Sequence, residues 1–302
     1  MTAAADELRG STVALKNILF AMDFSADSLR AFPFAVRIAL HYGSKVFVAH
    51  VVPDDFPTPM VEQASIDKQL QASVKTALGL PAGNLSDVPH EILVDHGAIS
   101  ARLLATAEAC KVDLVVIGAH GWHGIRKLLK GSTAQEVACL ASKPVLAVGP
   151  GVFGRQDFKA ILYVTDLLPS SVHALAYALS FADRYRAELV VLHVNDGEGP
   201  ETPSEARPRA SAFFRKYVAD ETTSVAKQSN LIVDFGPRTE LILEYAAREG
   251  SDLIVMGLHH LSGMKARIAS HLPGSTSYEV ISKARCPVLA VPPRSSPGRP
   301  SK

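Results

Sequence analysis

Short apolar runs alternate with stretches in which apolar residues return every three or four positions. Leu114 to Ile117 and Val145 to Val148 are unbroken runs, the pattern of a strand covered on both faces. Asp27 to His41 carries Leu29, Phe32, Ala35, Val36, Ala39 and Leu40 at helical spacing. Ser100 to Ala109 repeats the pattern with Leu103, Leu104 and Ala107, and Thr133 to Leu140 continues it. Strand and helix in alternation imply right-handed crossovers and a parallel sheet flanked by helices. The expected fold class is therefore α/β, doubly wound, each unit a mostly parallel five-stranded sheet with helices on both faces. Ligands of such sheets bind at the carboxyl ends of strands, where the strand order reverses.

The pattern occurs twice. Asn17 to Asp23 matches Ala160 to Asp166, and Val46 to Val51 matches Leu189 to Val194, each 143 residues on. The offset falls to 139 where Val94-Asp95-His96-Gly97 meets Val233-Asp234-Phe235-Gly236, and where Asp113 to Gly118 meets Asp252 to Gly257. It returns to 143 for Gly131-Ser132-Thr133 against Gly274-Ser275-Thr276, and for Pro144 to Val148 against Pro287 to Val291. The second copy thus lacks four residues between its second and third strands and gains four in the loop before Gly274. A repeat this long is a pair of domains, because solenoid units run to roughly 20–50 residues. The expected domains are 15–150 and 158–293, with flexible tails at 1–14 and 294–302 and a Gly-rich linker at 149–157. Asn195 to Pro208 reads as a loop before a helical stretch at Ala210 to Lys227, and Val61 to Leu78 as the corresponding helix of the first copy.

Composition narrows the function. A hydrophobic content of 47% with 20% charged residues is that of a globular protein. A net charge of +1 gives no reason to expect a nucleic-acid partner. Three cysteines without Cys-x-x-Cys spacing argue against a disulfide framework or zinc ribbon and for a reducing compartment. No run approaches ~18 apolar residues, so no membrane partner is expected. The localisation expected is cytoplasmic.

The chemistry gathers after the Asp113 to Ile117 strand. Gly118-Ala119-His120-Gly121 is followed by nine residues and then Gly131-Ser132-Thr133, which opens a helix. Glycines let backbone N–H groups approach an anion, and a helix start supplies unpaired donors and a positive dipole end. Arg126, Lys127 and Lys130 within the loop add positive charge, at a spacing that also suits a solvated helix face. Simpler readings stand beside this one. Asp23 and Ser25 are both candidates to cap the first helix. Thr133-x-x-Glu136 is a capping box in its own right. His120 and His123 lack a third metal ligand, and no metal site is expected. His50 and His193 sit inside strands and read as hydrogen-bonded core residues.

With the strand-end Asp, the His-Val strand and Gly-x2-Gly-x9-Gly-Ser in place, both halves resemble universal stress protein domains of the ATP-binding type. The resemblance covers residues ~15–150 and ~158–293 and implies an adenine nucleotide site at the switch point. It implies Ala21, Met22 and Asp23 at the base and Val51 as a pocket wall. Ile117, Gly118, His120 and Gly121 would line the ribose and α-phosphate, with Gly131, Ser132 and Thr133 at the outer phosphates. A carboxylate accepts from the adenine amino group, and hydroxyls add donors to the helix start. The resemblance implies ATP, with ADP or AMP as alternatives, and Mg2+ carried on the phosphates without a carboxylate cage of its own. It also implies that Val145 to Val148 and Val288 to Val291 pair across an internal two-fold. A homodimer of the whole chain and protein partners of unknown identity complete that expectation.

The second copy departs from the motif. His260 stands at the second glycine position, and thirteen residues separate it from Gly274. Thr165, Asp166, Val194, Met256, Gly257, His259, Gly274, Ser275 and Thr276 still match ligand positions, as a second and weaker nucleotide site. The chain carries no Gly-x4-Gly-Lys-Ser/Thr loop, and no general base stands beside the glycines. The reading is therefore a nucleotide-binding regulatory protein for stress response. A slow ATPase or nucleotidyl-handling enzyme, and a ligand-free interaction scaffold, are the alternatives.

Overall fold

The computed structural model describes residues 13–54, 68, 88–119, 133–152, 157–168, 171–197, 202–219, 229–258 and 276–293. The first half comprises β1 (Asn17–Ala21), α1 (Ala26–Tyr42), β2 (Lys45–Val52), β3 (His90–His96), α2 (Ile99–Ala109), β4 (Leu114–Gly118), α3 (Thr133–Leu140) and β5 (Val145–Val148). The second comprises β6 (Ala160–Val164), α4 (Val172–Tyr185), β7 (Glu188–Asn195), α5 (Pro203–Phe214), β8 (Asn230–Phe235), α6 (Arg238–Arg248), β9 (Leu253–Gly257), α7 (Thr276–Lys283) and β10 (Val288–Val291).

All ten strands form one sheet in the order β3-β2-β1-β4-β5-β10-β9-β6-β7-β8. Within each half every pairing is parallel, and the halves meet where β5 and β10 pair antiparallel, Leu289 opposite Leu146. This is the strand pairing that the family resemblance implied, and it covers two edges that would otherwise be open. The strand order reverses between β1 and β4 in the first half, and between β6 and β9 in the second.

The unbroken apolar runs are explained by burial on both faces. Ile18, Phe20, Leu114, Val116, Leu146 and Val148 join the core under α1 and α4. Leu19, Val115, Ile117, Val145 and Ala147 join the core on the opposite face, with residues of α2, α3, α6 and α7. Each core runs through both halves. Val13, inside the stretch expected to be a flexible tail, packs against the first core, and Leu15 is buried in it.

A seam of rings joins the halves on the α1/α4 face. Phe158 is fully buried beneath Phe34 at 6.1 Å, Phe181 at 5.8 Å and Tyr185 at 5.0 Å. Tyr42 on α1 lies 5.6 Å from the Phe181 ring, and its hydroxyl is 3.1 Å from Ser180 Oγ. Burial pushes the Tyr42 phenol up to about 12, so it stays a neutral hydrogen-bonding group.

One expectation requires correction. The second half's long helix begins at Pro203, within the stretch read as a loop. Thr202 and Glu205 form a capping box and Pro203 occupies the first turn, where its missing N–H costs nothing. Pro208 lies inside the helix, which closes in a π-helical turn at Arg215–Ala219. The corresponding stretch of the first half, Val61 to Leu78, lies outside the described residues except for Lys68.

Candidate functional site

The β1–β4 switch point is built from strand ends. Ala21, Val51 and Ile117 are buried on the core face away from α1. Met22 is buried on the other face, where Ser28 Oγ lies 3.5 Å from its sulfur. Its backbone continues the ladder, Met22 N donating to Ala49 O at 2.8 Å, and its carbonyl lies 2.8 Å from His50 Nδ1. Met22 therefore meets anything at the switch point through its main chain. His193 makes the same contact to Thr165 O at 2.9 Å, so both histidines are hydrogen-bonded in place, as expected from their strand positions.

The candidates for the first helix cap are now separated. Ser25 caps α1, its side chain accepting from Ser28 N at 3.1 Å. Asp23 shapes the turn before it, accepting from Ser25 N through Oδ1 at 3.0 Å. Between them Phe24 is left-handed at φ 60°, and Leu167 takes the same conformation at φ 62° in the second half. Such a residue without the Asn, Asp or Gly that favours the region costs about 1–2 kcal/mol, and no sequence signal marked either one. The pair of strained turns presents Asp23 and Asp166 at equivalent corners of the two halves.

Gly118 ends β4 against the first turn of α1. A Cβ there would stand 2.7 Å from Asp27 C and 2.8 Å from both Asp27 O and Ser28 N. The need for glycine is thus set at least in part by helix packing, a reason the loop motif did not suggest. Thr133 is the first residue of α3. Glu136, its partner in the capping-box reading, accepts from Ser100 Oγ at 2.8 Å through Oε2 and so ties α3 to the start of α2. His120, Gly121, Gly131 and Ser132 lie outside the described residues.

The second switch point has the same frame and different fittings. Thr165 replaces Met22 and is buried. Its Oγ1 accepts from Leu167 N at 3.0 Å and lies 3.0 Å from Ser171 Oγ. Asp166 repeats the turn of Asp23, accepting from Leu168 N at 2.9 Å. Val194 and Met256 are buried, and Gly257 and Thr276 are partly exposed. Around Gly257 an added Cβ would meet, among the described residues, only Ser171 Cα at 3.8 Å and Ala174 Cβ at 3.9 Å. Beyond β8, Tyr245 Oη donates to Asp234 Oδ2 at 2.8 Å and holds that carboxyl below the usual range. Arg238 pairs with Asp196 at 2.6 Å. His259, Gly274 and Ser275 lie outside the described residues. Among the described residues no cluster of His, Cys, Asp and Glu could hold a metal ion, and no helix is long and apolar enough to cross a membrane.

A family model described as the universal stress protein family matches residues 14–149 and again residues 157–292. The chain belongs to the universal stress protein family. Its tandem organisation has a counterpart in a universal stress protein of Mycolicibacterium smegmatis, 26% identical over 298 residues, covering 92% of this chain and 97% of that one. Universal stress protein A homolog 2 of Coxiella burnetii is 42% identical over 144 residues, 45% of this chain and 95% of its own. The crystal structure of a universal stress protein from Archaeoglobus fulgidus superposes with a TM-score of 0.67 at 17% identity, covering 92% of this chain and 98% of that chain. That likeness concerns the fold: two universal stress protein units on one sheet.

Proposed function

We propose that the chain is an adenine-nucleotide-binding regulatory protein whose first half holds ATP at the β1–β4 switch point. The observation that carries this reading is the gathering of Asp23, Val51, Ile117 and Gly118 at the carboxyl ends of β1, β2 and β4. Open α/β sheets take ligands at that place. The sequence continues from there into Gly-x2-Gly-x9-Gly-Ser and re-enters a helix at Thr133. Asp23 would accept from the adenine amino group. Val51 and Ile117 would form apolar walls, and Gly131, Ser132 and Thr133 would hold the phosphates with helix-start donors. Mg2+ would arrive on the phosphates. The role is read as binding rather than turnover, since the sequence offers no evident general base beside the loop.

The test is mass spectrometry of small molecules released from purified protein, followed by calorimetry with ATP and Mg2+. An adenine nucleotide is expected, with binding lost in Gly131→Val/Ser132→Ala and changed less by Gly274→Val/Ser275→Ala. No nucleotide bound at millimolar concentration rejects the reading, and equal losses from both pairs reverse the ranking of the halves. Phosphate release that disappears in Gly131→Val/Ser132→Ala would favour an ATPase instead.

A further inference from the structure

Three polar atoms are buried where the halves meet, without hydrogen-bond partners among the described residues. They are Arg37 Nε on α1, Tyr185 Oη in the last turn of α4 and Asp157 Oδ1 just before β6, the last on a side chain that is 41% exposed as a whole. Leaving a buried donor or acceptor unmet costs about 1–3 kcal/mol. The three are chemically complementary, two donors and a carboxylate acceptor. They are also neighbours. Burial raises the Tyr185 phenol, and Asp157 and Arg37 both act on it electrostatically. The His41 ring is 4.0 Å from that of Tyr185, and His41 Nε2 is 3.8 Å from Asp157 Oδ1, too long for a hydrogen bond. Arg184, over the Tyr42 ring at 4.9 Å, is the remaining charge facing the group. A small shift of α1 against α4 that closed Asp157 onto them would pair these donors with an acceptor. Packed interfaces move between discrete arrangements of this kind rather than deforming continuously.

Both helices at this junction start beside a candidate site. Gly118 touches the backbone of Asp27 and Ser28 so closely that the first turn of α1 and the end of β4 must move together. Ser171, at the start of α4, accepts from Tyr163 Oη at 2.8 Å and shares a hydrogen bond with Thr165 Oγ1 at the end of β6. A single helix therefore runs from each switch point to the same polar knot.

We propose that the α1–α4 junction is a two-position coupling between the two switch points, with a ligand in the first half shifting α1 so that Asp157 closes on Arg37 and Tyr185. This rests on the nucleotide reading of the first half. Hydrogen exchange on the full chain tests it, with and without ATP and Mg2+, in a Gly274→Val/Ser275→Ala background that keeps nucleotide from the second half. ATP is expected to slow exchange at 21–28 and, by about fivefold or more, at 157–168 and 171–186. Tyr185→Phe removes one unmet donor, and with it part of the gain from closure. It should keep the slowing at 21–28 and lose most of that at 171–186. Asp157→Asn, which removes the carboxylate, should do the same if Tyr185→Phe folds poorly. Slowing confined to 21–28 overturns the coupling and leaves the nucleotide reading standing. Distant slowing that survives both substitutions overturns the assignment to this junction. No slowing anywhere overturns both readings.

Discussion

The two halves share a frame and differ in how tightly their first helix is held against it. In the first half Ser25 caps α1, and the helix spans 17 residues. The matching position of the second half is Leu168, half exposed, and α4 spans 14 residues without a side-chain cap. Beneath the helices, Phe20 lies against Phe32 at 4.9 Å, whereas Tyr163 reaches up to bond the carbonyl of Ser171. Among the described residues, a Cβ at Gly257 would meet nothing closer than 3.8 Å, a slack that Gly118 lacks. The lesson is that a motif glycine can be required by helix packing as well as by a ligand.

The sharpest way to break this comparison is to add one methyl group to each half. Gly118→Ala forces the first turn of α1 off β4 and should cost about 2 kcal/mol or more, in the range of overpacked cores. Gly257→Ala should fall within about 0.5 kcal/mol of the parent. Urea unfolding of both variants reads the difference, and equal costs would show that the slack at Gly257 is not real.

A smaller effect is expected from Tyr163→Phe, which leaves the Ser171 carbonyl without its donor and should cost about 1–3 kcal/mol. If Tyr163 props α4 away from β9, Gly257→Ala should cost more in the Tyr163→Phe background than alone. Additive losses would separate the prop from the slack.

The smallest effect lies in acid. The Tyr245 hydroxyl holds Asp234 below the usual carboxylate range, so this contact contributes fully above the unfolded value of about 3.9. Its contribution fades as pH falls from there through the lower folded value. The parent should therefore lose stability below about pH 4 slightly faster than Tyr245→Phe. The first half has Thr106 at the matching position, without the phenol that makes this contact. Parallel acid curves for the two proteins would remove this difference between the halves.

Much of the architecture was legible because it rests on local pattern. Apolar runs such as Leu114 to Ile117 and the fixed offsets between copies led to the doubly wound units, and the family resemblance added the β5–β10 join. Other features depend on contacts that no local pattern carries. Asp23 and Ser25 were equal candidates for the cap until their partners were seen, because both residue types accept from a helix start. Gly118 read as an anion-binding residue, yet the atoms that exclude a Cβ belong to a helix ninety positions earlier. The start of α5 was missed because Pro208 reads as a breaker while the Thr202–Glu205 capping box lies ahead of it. The ring seam unites Phe34, Tyr42, Phe158, Phe181 and Tyr185, each unremarkable within its own segment.

The antiparallel join of β5 to β10 turns a two-fold arrangement into a property of one polypeptide. Two identical subunits meeting this way would come apart on dilution and would carry every substitution twice. Here association cannot be diluted away, and inheritance acts on each member separately. A change that would be lethal when doubled needs to be tolerated only once. Leu168, Thr165 and Tyr163 are differences of that kind, each confined to one side of an axis that no longer enforces equality.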